Sequence, residues 1–178
     1  LCGTYLARAV RDASDTEARH QMMWAATLAG IAFGNAGVHA PHAMAYAVAG
    51  RVRTFRPSGY PDAPLVPHGM AVADSAPAVF RHTASTAPER HREAAALLGG
   101  DRHAPGDRAP GEALADAVIQ LMRAIDIPNG LTGVGYHAGD IPALVEGTVP
   151  QQRLLGNAPC ELPPATLAAL FEGALHYW

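Results

Sequence analysis

An all-α domain is the architecture this sequence predicts, on three observations. No stretch alternates β-branched or aromatic residues with polar ones at the period of two that a half-buried strand requires. Apolar residues recur instead at spacings of three and four. Helix-starting and helix-stopping residues cut the chain into segments of helical length, with Pro, Gly and Asp collected between them. The 178 residues suffice for one compact domain with a genuine core, and 1–178 is read as one unit.

Leu1 to Arg11 sets Leu1, Tyr5, Leu6 and Ala9 at helical spacing and reads as the tail of a helix. Ser14-x-x-Glu17 has the form of a capping box, with Asp15 adding favourable charge, so a helix is expected from about Asp15. It loses its polar face through Met22, Met23, Ala26, Leu28 and Ile31 and is expected to run into the centre of the domain, buried on all sides. Gly34-Asn35-Ala36-Gly37 punctuates it. The next helix is expected from about Gly37 to Arg53, with Pro41 in its first turn, where a missing N–H is tolerated. On such a helix His39, His42 and Tyr46 share one face.

Arg56 to Pro67 is a loop by its Pro, Gly and Asp content. Gly69 to Thr83 reads as a helix bent or interrupted at Pro77. Pro88 to Leu98 is a helix with Gly99-Gly100 as its stop, and Asp101 to Pro110 a polar loop. Glu112 to Ile125 is amphipathic, with Leu114, Val118, Leu121, Met122 and Ile125 on one stripe. Shorter helices follow at Asp140 to Glu146, with Asp140 as N-cap and Pro142 in the first turn, and at Pro164 to Tyr177.

A net charge of -3 and scattered arginines suggest neither a nucleic-acid stripe nor an anionic-membrane patch. Gln21 to Gly50 carries no formal charge, long enough for a membrane span. Its Ala and Gly composition, the Gly34 to Gly37 break and the polar His39 and His42 oppose that reading, since polar groups are costly in lipid. Cys2 and Cys160 form no CxxC pair and no disulfide framework, which fits a reducing, cytoplasmic setting. Leu1 is not a methionine and no signal-peptide pattern opens the chain, so the natural start is expected upstream.

Chemistry is carried by the histidines. His39-x-x-His42 on a helix, followed by His68 after a loop, sets three imidazoles among small apolar residues, and neutral imidazoles bind zinc or iron(II) well. Without a placed carboxylate they are an incomplete ligand set, and an Ala-rich helix also accommodates histidines that only bond a neighbouring carbonyl. His82, His91 and His103 lie in Arg-containing polar contexts and are read as solvated, and the Met residues as core fillers. Arg153 can pair with a substrate carboxylate, although a plain surface arginine is the simpler reading.

The wording of FGNAGVHAPHAMAYAVAG and PLVPHGMAV closely resembles the metal-binding region of the iron-containing alcohol dehydrogenases, in particular their hydroxyacid-oxoacid transhydrogenase branch. The likeness continues through PAVF, APERHREAAALLG, GVGYHAGDIPALVEGTVPQQRLL and LAALFEGAL, nearly the whole chain. It implies the helical carboxy-terminal domain of that dehydroquinate synthase-like fold. It also implies a divalent metal, iron and sometimes zinc, held in the family by one aspartate and three histidines. By the H-[GA]-M and P-H-G segments the resemblance assigns His42 and His68 as two of those ligands, 26 residues apart as in the longer-looped branch. His39 is left as a candidate ligand-supporting or substrate-contacting group. Tyr46 is another, standing where many members carry a further histidine.

No Asp-x-x-x-His precedes His42 and no glycine-rich phosphate loop follows a strand, so the other two ligands and the NAD(P)-binding α/β half are expected outside these residues. The resemblance thus implies half a metal cage from an oxidoreductase acting on small hydroxy acids or alcohols, silent in isolation, with no catalytic residue assigned. The alternative is a stand-alone helical module that binds or assembles with another chain to complete its site. A domain deprived of its partner would expose an apolar face, which leaves a homo-oligomer open.

Overall fold

The computed structural model describes residues 1–99 and 109–178, and these form ten α-helices, two short 3-10 turns and no strand. The first two helices, α1 (Cys2–Arg11) and α2 (Thr16–Ala36), pack on one another. The cap of α2 is Asp15 and not a Ser14/Glu17 box. Asp15 accepts the Ala18 N–H at 2.9 Å and is clamped by Arg8 Nε at 2.9 Å, while Arg8 also reaches Glu17 at 2.8 Å. Ser14 Oγ turns back to Asp12 at 2.6 Å. An ionised acceptor one residue nearer the helix wins because it meets both the orphan N–H groups and the positive end of the dipole.

The expectation that α2 dives into the core is overturned. Ala18 is its one buried residue, whereas Trp24 is 53% exposed, Ile31 60%, and Met23, Leu28 and Phe33 are exposed as well. An Ala-rich helix that is apolar all round carries no signal for which side is covered, and here α1 is its chief helical neighbour. Met23 is therefore no core filler, although Met44 and Met122 are fully buried. No helix among the described residues is long and apolar enough to cross a membrane.

The core is built on α3 (Ala40–Gly50) and α4 (His68–Thr83), which pack face to face. Ala40, Met44 and Val48 of α3 meet Val66, Ala71 and Val79, and α8 (Ile141–Thr148) and α10 (Pro164–Gly173) close over them with Leu144, Leu167 and Phe171. The helix expected from Gly37 to Arg53 is shorter at both ends. His39 caps it from outside, with φ -132° and ψ -143°, and Pro41 lies in its first turn as expected. Tyr136, itself buried, donates its hydroxyl to Val48 O at 2.6 Å and holds the far end.

Pro77 does not interrupt α4, which runs unbroken to Thr83. Proline has no N–H to give Ala73, and beside this gap the Tyr177 hydroxyl enters the helix ladder. It donates to Asp74 O at 2.7 Å, and the Ala78 N–H points at the same phenol oxygen. A residue near the end of the chain thus mends a break in the central helix. Tyr177→Phe leaves that carbonyl unpaired and is expected to cost about 1–3 kcal/mol. A lower urea midpoint at unchanged slope is the readout, and an unshifted midpoint would count against the repair.

The helix α6 (Pro110–Ala124) packs against α4, and α5 (Pro88–Leu97) packs on α6 with Ala95, Leu114 and Ala117 between the two. Buried Ile119 and Ala115 share the inward side of α6 with Leu114 and Met122, so the stripe is broader than its sequence spacing implied. The expected Asp101 to Pro110 loop, with His103 and Gly100, lies outside the described residues except for Ala109 and for Pro110, which opens α6. The chain closes through α7 (Gly130–Gly133), α8, α9 (Gln152–Leu155) and α10, which ends at Gly173 and not at Tyr177. Asp140 precedes α8 as expected, but its carboxylate accepts the His137 N–H and pairs with Arg53 at 2.8 and 3.0 Å.

Candidate metal centre

Three elements converge on one cavity of about 590 Å³. The first is the junction of α2 and α3, where Gly37 has φ +76°, a conformation that suits glycine, and where a Cβ would sit 2.7 Å from Asn157 Nδ2. Asn157 fixes this junction by donating to Ala36 O at 3.1 Å and Val38 O at 3.3 Å. The second is the N-terminal half of α3, which presents His42 and, one turn on, Tyr46. The third is the start of α4. Buried Val66 anchors the end of the preceding loop, and His68 is the first helical residue, set at the rim.

His42 and His68, 26 positions apart, come together with ring centroids 5.4 Å apart and planes tilted by 59°. Tyr46 completes the group, its ring 5.5 Å from that of His68. A metal bonded to one nitrogen of each imidazole lies about 3.2 Å from each ring centre, which puts the centres of two ligands at a tetrahedral angle about 5.2 Å apart. The observed centroid separation is close to that distance. Burial lowers the His42 pKa below the ordinary imidazole value, reinforced by His68 and His39 nearby, which favours the neutral ring whose lone pair can be donated. Among the described residues no cluster of three or more His, Cys, Asp or Glu forms a fuller cage.

His39 does not join this face. As the cap it lies outside the helical repeat, so the three-residue spacing to His42 does not align the two side chains. It lines a different cavity together with Phe80, Thr83 and His91, with its Nδ1 buried and unpartnered. His91 is likewise not solvated. It is half-buried, with Nδ1 2.9 Å from Ala87 O, Nε2 3.2 Å from Thr83 Oγ1 and the Phe80 ring edge-on. His82 is exposed as expected.

One feature stood in the sequence only as an alternative reading, and another was not visible there at all. Arg153, on α9, lines the same cavity as His42, Tyr46 and His68. Asp74, in the middle of α4, is 0% exposed with both carboxylate oxygens unpartnered, and burial raises its pKa to about 8. No signal announced its burial, since the surrounding MAVADSAPAV run places it beside Ser75 and a proline in an otherwise ordinary helix.

The family description "Fe-containing alcohol dehydrogenase family, C-terminal" matches residues 1–175. Human mitochondrial hydroxyacid-oxoacid transhydrogenase is 47% identical over 176 residues, covering 98% of this chain and 38% of that protein. The probable transhydrogenase of Dictyostelium discoideum is 41% identical over 170 residues, covering 94% and 31%. Among solved structures, a 1,3-propanediol oxidoreductase superposes with a TM-score of 0.82 at 28% identity, covering 97% of this chain and 42% of that one. An alcohol dehydrogenase from Oenococcus oeni gives 0.79 at 26% identity, with 97% and 42% covered. The chain therefore spans well under half the length of the relatives it matches. A whole-chain family match, close identity to the transhydrogenases and the shared helical architecture have one meaning: this chain belongs to the iron-containing alcohol dehydrogenase family, as its carboxy-terminal domain.

Proposed function

We propose that this domain supplies His42 and His68 as two ligands of a divalent metal, iron or alternatively zinc, together with one wall of the substrate cleft. The activity it serves would be an NAD(P)-linked oxidoreductase that moves hydride between small hydroxy acids or alcohols and their oxo partners. The observation that carries the reading is the convergence of the two imidazoles at 5.4 Å inside the cavity. The name of the human relative supports the substrate class, and its greater length supports assigning the nucleotide site and the remaining ligands to sequence beyond these residues.

A bound metal would act as a Lewis acid that polarises the substrate oxygen and favours the alkoxide. The chain's own contributions follow from its geometry. Burial favours the neutral form of His42, the form that donates a lone pair to a metal. Tyr46, 51% exposed, sets a phenol beside His68, in position to give or accept a hydrogen bond at the reacting oxygen. Phe33, Val38 and Leu154 provide apolar wall that limits water around it. In isolation the domain is expected to turn nothing over.

A second reading, a helical module that completes its site with a separate chain, draws on the uncovered apolar residues of α2. Both readings share one test. Equilibrium dialysis against iron(II) without oxygen, and against zinc, is expected to load the wild-type chain and to leave the double variant His42→Ala/His68→Ala empty. Equal metal content in the two would refute the ligand assignment.

A further inference from the structure

Arg153 stands out among the arginines. Arg8, Arg51, Arg53, Arg56 and Arg81 each face a carboxylate, whereas Arg153 has no ion-pair or hydrogen-bond partner among the described residues. Arg11, Arg19 and Arg123, the last stacked on the Trp178 ring, share that condition but lie on α1, α2 and α6, away from the cavity. No acidic side chain lines the cavity among the described residues, so one guanidinium supplies the fixed charge of a wall otherwise made of apolar groups, a phenol, an amide and imidazoles. In a chain of net charge -3 that is a local reversal of sign. The guanidinium is also carried on a pinned segment. Leu154 beside it is buried, Gln152 Nε2 donates to Val149 O at 2.6 Å, and Asn157 ties the following turn to the α2–α3 junction.

We propose that Arg153 is the specificity-determining residue of this cleft, holding the carboxylate of a short hydroxy or oxo acid on its guanidinium with the reacting oxygen toward His42 and His68. The proposal rests on the reading of the cavity as the substrate cleft. The planar fork of arginine matches the two oxygens of a carboxylate and holds them in one orientation. A single cation against apolar wall suits one small anionic group better than a pyrophosphate, which is typically cradled by several backbone N–H groups. A cavity of about 590 Å³ accommodates a molecule of a few carbons together with part of a larger cofactor. Arg153 is then a specificity-determining residue. It separates hydroxy acids from plain alcohols of the same length.

The test is binding to the 178-residue chain without metal, followed by NMR, with glycolate against ethylene glycol and 4-hydroxybutanoate against 1,4-butanediol as matched probes. The wild type is expected to favour at least one acid over its diol by about tenfold or more, the scale of one charge-assisted pair. Arg153→Leu is expected to abolish that preference and Arg153→Lys to keep only part of it, with unchanged melting temperatures because the side chain is exposed. Equal binding of acid and diol, absence of acid binding, or a preference that survives Arg153→Leu overturns the proposal. Displacement of the acid by inorganic pyrophosphate at lower concentration than by the acid itself would also overturn it, assigning Arg153 to a phosphate. Metal retention is measured separately. A chain that prefers acids but holds no metal fails the His42 and His68 assignment alone, and a chain that holds metal without the preference fails Arg153 alone.

Discussion

Asp74→Asn is expected to leave stability nearly unchanged at pH 4 and to make the domain progressively more stable than wild type as the pH rises, with the gain levelling off above about pH 8. The cause is a carboxyl with no exposure and no partner for either oxygen, so burial penalises its ionised form and lifts its pKa from 3.8 to about 8. Neither carboxylate oxygen of Asp74 has a hydrogen-bond partner among the described residues. Tyr177 reaches its main-chain carbonyl, and Arg81 lies over the Tyr177 ring at 5.9 Å instead of meeting the carboxylate.

The sign follows from proton counting. Below the unfolded value both states hold the proton and there is no penalty. Between about 4 and 8 the unfolded chain has released it and the folded chain has not, so stability falls with rising pH by about 1.4 kcal/mol per unit. Above the folded value the loss is complete, on the order of 5 kcal/mol. The amide cannot ionise, so its difference from wild type isolates Asp74 from every other titrating group. Urea unfolding of both proteins at pH 4, 6, 7 and 9 would show it, and a difference that does not change with pH would remove Asp74 as the cause.

Local chemistry was legible and tertiary placement was not. Pro41, Pro88, Pro142 and Pro164 all sit in the first turn of a helix as read, because the missing donor and fixed φ of proline act within one residue and need no partner, whereas Pro110, assigned to a loop, opens α6. The start of α2 was placed correctly even though the wrong residue was named as its cap. What failed depended on distant groups. The apolar run of Trp24, Leu28 and Ile31 looked buried, yet hydropathy does not say what lies beside a helix. Pro77 looked like a break, and the Tyr177 hydroxyl that bridges it comes from 100 positions away. Spacing alone drew attention to His39 with His42, and the family resemblance instead singled out His42 with His68, the pair that the fold brings together. Arg153 was legible only as an alternative to a plain surface arginine, because the direction of a side chain on a four-residue helix depends on the buried leucine next to it.

That contrast between spacing and fold sets the second large effect, a ranking among four variants of the metal centre. His42→Ala and His68→Ala are each expected to lower iron(II) or zinc affinity by more than about 100-fold, beyond the 10–100-fold that loss of a ligand-supporting group costs. Either change leaves one imidazole from this chain, and a lone imidazole loses the advantage of two donors already held at the required separation. Tyr46→Phe keeps both rings and the packing beside His68, removes one hydroxyl, and is expected to stay within about tenfold of wild type. His39→Gln is expected to leave affinity almost untouched, since His39 lines the His91 cavity and reaches His42 only through a minor electrostatic contribution. Melting temperatures recorded for all four separate unfolding from ligand loss. If His39→Gln proved as damaging as His42→Ala while still folded, the helical-face reading of His39 and His42 would be correct, and the pairing of His42 with His68 would lose its chemical meaning.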